Sequence, residues 1–512
     1  MRRGRGRLSR RRNFLDHLDR LDNRVRGERD DPFMAKNVLA DLRAASMTKE
    51  FAGADLGDLR RDARLEMVVQ AIANDPKSSF ARLNATEAER EGFYKFIRNH
   101  HIDSSDVLAP HVERTVERGV KARRGLVLHD TSEIRVEDGA AIDSFLQPSR
   151  RGFLLHTSLV VDATKERSPL GVVNLETIER KKLSRCKTED GRRLRGDETA
   201  KLKNKESERW PRGIEVSAQR LFGLDEVVHV LDAEGDSYPL LAYMVAAGHD
   251  FVVRLCHDRV AKVGDNEWSH IREVLEDAKE FKRTREVHVN RRKGRRRPNS
   301  RPARDSRVAH LTFAFEHITV RRPAYLKNIV DQPELQLTAV RVYEKSPPDD
   351  VEPIEWILLT TLDVRNKGDA ERVVDIYRKR WLIEEFFKAL KTSCGFRKRK
   401  LKNRHSIYNS LTLLIPFAWR ALALRQAASD EEARASTVFD DDELSILVTK
   451  AKSLRVRFTR RSSAADALLL VAQIAGHRKS NGPPGWGLII DGLRELETLA
   501  AGWRMAREEI TG

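Results

Sequence analysis

The 512-residue chain reads as an α/β protein: a mixed sheet with flanking helices, interrupted by a β-rich insertion, with helical domains at both ends. Three observations point there. Helical periodicity runs from about Phe51 to Arg118 and returns over Tyr408–Ala427, Asp440–Lys452, Ser463–Gly476 and Gly487–Arg507. Between them lie β-rich runs, first GLVLHD ending at Asp130, then FLLHTSLVVDA (Phe153–Ala163) and PLGVVNLETIE (Pro169–Glu179), which form a meander. Strand and helix then alternate through VVHVLDAEGD (Val227–Asp236), YPLLAYMVAAG and DFVVRL, as in a sheet with helices packed on it.

These shifts divide the chain. Residues 1–45 form a basic, largely disordered arm, 46–120 a helical domain, and 121–256 the first part of the sheet core. Residues 257–360 form the insertion, with HLTFAF, LQLTAVRVYE and IEWILLTT as its strand-like pieces. Residues 361–430 return to the core, and 431–512 form a helical C-terminal domain, entered before the Gly/Pro break NGPPG at Asn481–Gly485.

The formal charge is +18, and its distribution names a class of partner. Residues 1–12 carry seven Arg and no acid, and residues 282–307 carry twelve Lys or Arg against Glu286 and Asp305. Concentrated positive charge favours a polyanion, nucleic acid before anionic membrane. The helical segment sets Arg60, Arg61, Arg64, Lys95 and Arg98 beside Phe93, Tyr94 and Phe96, which suits either duplex docking or an ordinary amphipathic bundle. Cys186, Cys256 and Cys394 are far apart and form no CxxC, against a disulfide framework or zinc finger. The most apolar run, Leu411–Leu424, contains Pro416 and Arg420, so no membrane span is expected and a cytoplasmic protein is. No GxxxxGK loop and no HExxH occur, against a nucleotide cofactor and zinc peptidase chemistry.

The chemistry concentrates in YRKRWLIEEFFKALK, Tyr377–Lys391. Helical spacing aligns Tyr377, Arg380, Glu384 and Lys391 on one side and gathers Leu382, Ile383, Phe386, Phe387, Ala389 and Leu390 on the other, with Trp381 the exception. Such a row can be a solvated face with an i, i+4 ion pair, or a grip on phosphate with a carboxylate for a divalent cation. Two apolar strands also deliver an Asp each, Asp130 and Asp232. Singly these read equally as turn or cap residues. Together with Glu384 they form three hard-oxygen acids, a donor set suited to Mg²⁺ or Mn²⁺. Asp236 and Glu385 are adjacent alternatives.

The chain resembles the DDE transposases of bacterial insertion sequences, in the Tn-five branch marked by Tyr-x2-Arg-x3-Glu-x6-Lys. Tyr377, Arg380, Glu384 and Lys391 match that signature without a gap, HDTSE matches the first-Asp motif and LDAEGD the second. The likeness runs from about Ala54 to Ala506, through LGDLRRDARL, EGFYKFIRN, ESERW, FVVR, IEWILLTT and RKSNGPPG. The resemblance implies an RNase H-like core in which Asp130, Asp232 and Glu384 are catalytic and hold two divalent ions, Mg²⁺ or Mn²⁺. It implies that Tyr377, Arg380 and Lys391 grip DNA phosphates, joined by Arg254 of FVVR, and that Trp356 stacks on a flipped base. It implies cut-and-paste transposition through hairpinned ends, with the helical 46–120 domain on the transposon end and the last helices forming a homodimer on double-stranded DNA. A bacterial, nucleoid-associated location goes with that activity. Two other readings are a two-metal nuclease or resolvase on the same core, and a catalytically inactive transposase-derived regulator, which would need a broken acidic triad where all three acids are present here.

Overall fold

The computed structural model describes residues 47–74, 86–136, 142, 144–147, 150–165, 167–180, 206–281, 284–289, 291, 303–349, 351–396 and 401–511. The expected arm at 1–45, Cys186 and much of the basic run at 282–307 lie outside the described residues.

After a one-turn helix at Met47–Glu50, three helices open the chain: α1 (Leu59–Asn74), α2 (Glu87–Arg98) and α3 (Ser104–Ala122). Thr86 and Glu89 cap α2 reciprocally, and Asp103 caps α3. Phe93 and Phe96 are buried in the core, so of the three aromatics on α2 only Tyr94 stays half-exposed, with Arg98 lying 4.9 Å over its ring. A buried cluster ties the segment to the sheet. Glu50 accepts from Arg118 at 2.9 and 3.2 Å and pairs with His111 Nδ1 at 2.6 Å, while His111 Nε2 accepts the Val172 N–H. The last contact fixes the tautomer, leaving Nδ1 to donate to Glu50.

The strands are β1 (Arg124–Arg135), β2 (Phe145–Gln147), β3 (Arg150–Asp162), β4 (Pro169–Ile178), β5 (Glu226–Leu231), β6 (Asp250–Arg254), β7 (Val260–Lys262), β8 (Ser269–His270), β9 (Arg285–Val289), β10 (Arg307–Arg321), β11 (Glu334–Glu344) and β12 (Glu355–Thr360). They form one mixed sheet. The run β4-β3-β1-β5-β6 pairs antiparallel across β4, β3 and β1 and parallel across β1, β5 and β6, consistent with an RNase H-like core. The parallel crossovers pass through α4 (Arg209–Arg220) and α5 (Tyr238–Ala246). Gly171 in β4 has φ +147, and an added Cβ would sit 2.0 Å from Thr115 Oγ1, so α3 packs this closely on the sheet only over a glycine.

Two local expectations need correcting. GLVLHD does not end at Asp130: β1 continues to Arg135, because the long β3 pairs with it from Gly125↔Asp162 to Arg135↔Gly152. The β-rich segment after residue 256 is also not a body apart. Its strand β12 pairs antiparallel with β6, and β11, β10, β7 and β8 follow outward, so they extend the core sheet. That pairing covers what would otherwise be an open edge at β6.

The chain then crosses back through α7 (Lys367–Lys379) and α8 (Trp381–Lys388), a short α6 (Ile271–Glu276) having packed on the extension. Tyr377–Lys391 is not one uninterrupted α-helix. The segments meet at Arg380 and continue into a π-helical turn at Ala389–Ser393. α9 (Arg404–Ala427) is, among the described residues, the one helix long and apolar enough to cross a bilayer, but its most apolar window is 94% buried within the protein. α10 (Asp441–Ser453), α11 (Ala464–Ile474) and α12 (Trp486–Thr511) complete the described chain. Arg420 of α9, out of place in so apolar a helix, is buried between Glu443 of α10 and Glu497 of α12, the latter at 3.2 Å.

Candidate active site

Strand register brings the first two acids together. β1 and β5 run parallel with Leu128 opposite Val230, so two residues further on Asp130 comes level with Asp232. Asp232 follows β5 directly and caps the 3-10 turn Ala233–Gly235, accepting from the Glu234 N–H at 2.9 Å. The turn reading of Asp232 therefore holds for one interaction, without displacing it from the sheet end. α8 packs against β1 and supplies the third acid. The Arg380 guanidinium bridges it to the first, 2.6 Å from Glu384 Oε1 and 3.5 Å from Asp130 Oδ2.

The charges register one another. Burial, then the Asp232 charge, pushes the Asp130 carboxyl up to about 7, against the pull of Arg380 and with a smaller push from Glu384. Arg380 is held in its charged form, because Tyr377, Asp130 and Glu384 together outweigh its burial.

The rest of the stripe gathers around this cluster. Tyr377 is buried, which raises its phenol, and feels the charges of Arg380, Arg254 and Asp232. Trp356 on β12 meets the Tyr377 ring edge-on, with centroids 5.6 Å apart, and is half-buried against the main core. Arg254 closes β6, opposite Leu358 of β12. Lys391 reaches Ser132 Oγ, two residues past Asp130, from the π-helical turn. That turn shifts Lys391 from its α-helical position.

The two alternative acids are spent elsewhere. Asp236 is fully buried and accepts from the Cys256 and His257 N–H groups at 2.6 and 2.9 Å and from the Arg259 guanidinium at 2.6 Å. Glu385 accepts from Gln426 of α9, away from Arg380.

One cation at the site carried no sequence signal beyond its place in ESERW. Arg209, at the start of α4, donates 2.8 Å to Thr131 Oγ1 and 3.0 Å to Glu234. It thereby joins the residue after Asp130 to the turn after Asp232. Beneath it Thr131 contacts His156 Nδ1 at 3.0 Å, and burial pushes the His156 imidazole down to about 3.

Among the described residues, no group of three His, Cys, Asp or Glu side chains stands close enough to hold one ion. Asp130, Asp232 and Glu384 are gathered, but a guanidinium sits between two of them where the expectation placed a metal. The donor chemistry still fits a divalent cation: three carboxylates, one of them pushed up by burial and by the Asp232 charge despite the Arg380 guanidinium beside it.

Two family models match the chain. Residues 43–102, the one-turn helix with α1 and α2, match the family described as "Transposase DNA-binding". Residues 215–416, from α4 through the Glu384 helix into α9, match "Transposase DDE domain". DDE domains of this kind generally use divalent metal ions. A transposase DNA-binding domain followed by a transposase DDE domain, together over about half the chain's length, supports a DNA transposase.

Proposed function

We propose that the chain is a cut-and-paste transposase of the Tyr-Arg-Glu-Lys branch, excising its element through hairpinned ends. The observation that carries the reading is the junction of β1, β5 and α8, where one guanidinium spans Asp130 and Glu384 and Asp232 stands level with Asp130. Asp130, Asp232 and Glu384 would hold two magnesium or manganese ions, which when bound supply Lewis acidity toward phosphodiester oxygens and a more acidic water.

The chain's own residues do the positioning. Arg380 and Lys391 grip the phosphates flanking the cut, with Tyr377 and Arg254 behind them, so that attack is in line. Water first attacks the phosphorus at the transposon end. Its oxygen forms the new P–O bond and the 3′ oxygen leaves as a hydroxyl. That hydroxyl then attacks the phosphorus of the opposite strand and displaces the 3′ oxygen of the flanking DNA, closing a hairpin. Water attacks the same phosphorus and releases the 3′ hydroxyl, which attacks a target phosphorus and displaces the target's 3′ oxygen. Unpairing a base for the hairpin turn costs a few kcal/mol, which stacking on Trp356 offsets. Tyr377 holds the Trp356 ring from its edge.

The 43–102 segment docks the transposon end, with Arg60 exposed at the start of α1. A homodimer holds two ends together. The first part of α12 is buried in its own fold through Ile489, Ile490, Leu493 and Leu496, so the partner contact falls to the part beyond Ala500, where Trp503 is 47% exposed.

The test is cleavage of linear DNA carrying the element's own ends, with Mg²⁺. Wild type yields hairpinned ends, and Glu384→Ala binds the ends without cutting them. Equal cutting by both removes Glu384 from the chemistry. Nicking without hairpins or strand transfer favours the nuclease reading instead.

A further inference from the structure

We propose that Arg380 is the resident countercation of the acidic site, and that it must leave its place between Asp130 and Glu384 before a divalent ion is held there, so that metal and DNA phosphate are taken up cooperatively. The inference rests on the reading of the three acids as metal ligands and adds a coupling to it.

Arg380 is no loose surface residue. Its side chain is 14% exposed, it lies at the joint between α7 and α8, and its guanidinium engages Glu384 at 2.6 Å and Asp130 at 3.5 Å. The shorter contact is a charge-assisted bond that occupies one of the two Glu384 oxygens and neutralises the carboxylate. Geometry makes the occupants exclusive. Magnesium binds carboxylate oxygens at about 2.0–2.1 Å, so acids sharing one ion must draw in until their oxygens lie roughly 3 Å apart. A guanidinium keeps its two acids further apart. With Arg380 in place, the described residues contain no group of three such side chains close enough to hold an ion. Retaining both occupants would also place two positive centres within a few ångströms in a buried site, an arrangement that strongly disfavours one of them.

Removed from Glu384, Arg380 needs another anion, and the phosphodiester is the one this enzyme handles. The surroundings suit the exchange. The Tyr377 ring lies 5.9 Å from the guanidinium carbon, and Lys391 stands on the same stretch of β1 at Ser132. A phosphate that draws Arg380 away uncovers Glu384 and Asp130 for the ion. An ion that displaces Arg380 frees it for the phosphate. By linkage each strengthens the other by the same factor.

The test measures Mn²⁺ binding to the full-length protein by the loss of free-Mn²⁺ EPR signal, with and without duplex carrying pre-cut transposon ends, so that no bond is broken. For wild type, end DNA should tighten Mn²⁺ binding about tenfold or more. Arg380→Gln should bind Mn²⁺ tightly without DNA and show little further gain when DNA is added. Thermal melting and far-UV circular dichroism establish that the variant is folded. Should it fail to fold, Arg380→Lys replaces it: one ammonium cannot span both acids, so DNA-free affinity should rise in the same direction by less. Equal DNA-free affinities with equal DNA effects in variant and wild type overturn the coupling while leaving the metal site intact. No Mn²⁺ bound by wild type even on DNA, as for Asp232→Asn, overturns the metal-site reading and the coupling with it.

Discussion

Two buried carboxylates, Asp130 and Glu50, show how neighbours decide what burial does. For Glu50, burial opposes ionisation, but Arg118 and His111 outweigh it and hold the acid down at about 2. For Asp130, burial acts in concert with Asp232 and lifts the acid to about 7. The signs of the resulting stability effects are opposite. A carboxyl with a lowered folded value stabilises the fold above its ordinary value, and that contribution is lost as pH falls through about 2. A carboxyl with a raised value stabilises only below its ordinary value, and that contribution is lost as pH rises through about 7. Asp130→Asn should therefore raise the melting temperature of the metal-free protein at pH 8 and raise it by less at pH 5. Glu50→Gln should lower it at both. Calorimetry with a chelator present checks both, and a destabilised Asp130→Asn protein at pH 8 would contradict the account. The same scale explains why Asp236 was ambiguous in sequence. It follows the same strand as Asp232, and only Arg259, 23 residues away, reveals that it is committed to a buried pair.

At the scale of elements, the strands β1 and β5 and the helix carrying Glu384 were legible, because apolar runs ending in acids and a one-sided polar stripe are local patterns. What joins them was not. The break at Arg380, the π-helical turn that sends Lys391 to Ser132, and the pairing of β12 with β6 depend on contacts between distant segments. Arg209 belongs to this class, since ESERW gives no hint that its arginine spans β1 and the turn after β5. Its loss should loosen the spacing of Asp130 and Asp232 while leaving the end-binding helices untouched. Arg209→Met is expected to lower the rate of end cleavage by about tenfold or more, with end-DNA affinity within about twofold of wild type. Cleavage kinetics beside a gel-shift titration reads both, and a parallel fall in the two would assign Arg209 to DNA binding instead.

At the scale of the molecule, one sheet carries both the core and its β-rich extension, and α9 pins the terminal helices onto it. The Arg420 group illustrates the joint. Burial and neighbouring Asp440 and Glu497 raise the Glu443 carboxyl despite Arg420, and the two ion pairs of Arg420 join α9 to α10 and α12. The mixed α/β class and the helical ends were readable from periodicity. The continuity of the sheet was not, because edge pairing leaves no mark in a strand's own sequence. The central claim is that Asp130, Asp232 and Glu384, brought together by that sheet and α8, hold the ions that cut DNA. Anomalous diffraction from crystals of the full-length protein on end DNA, grown with Mn²⁺, tests it most directly. The account predicts manganese peaks among these three carboxylates with the Arg380 guanidinium turned onto a phosphate. Manganese bound elsewhere, with Arg380 still bridging Asp130 and Glu384, would contradict it.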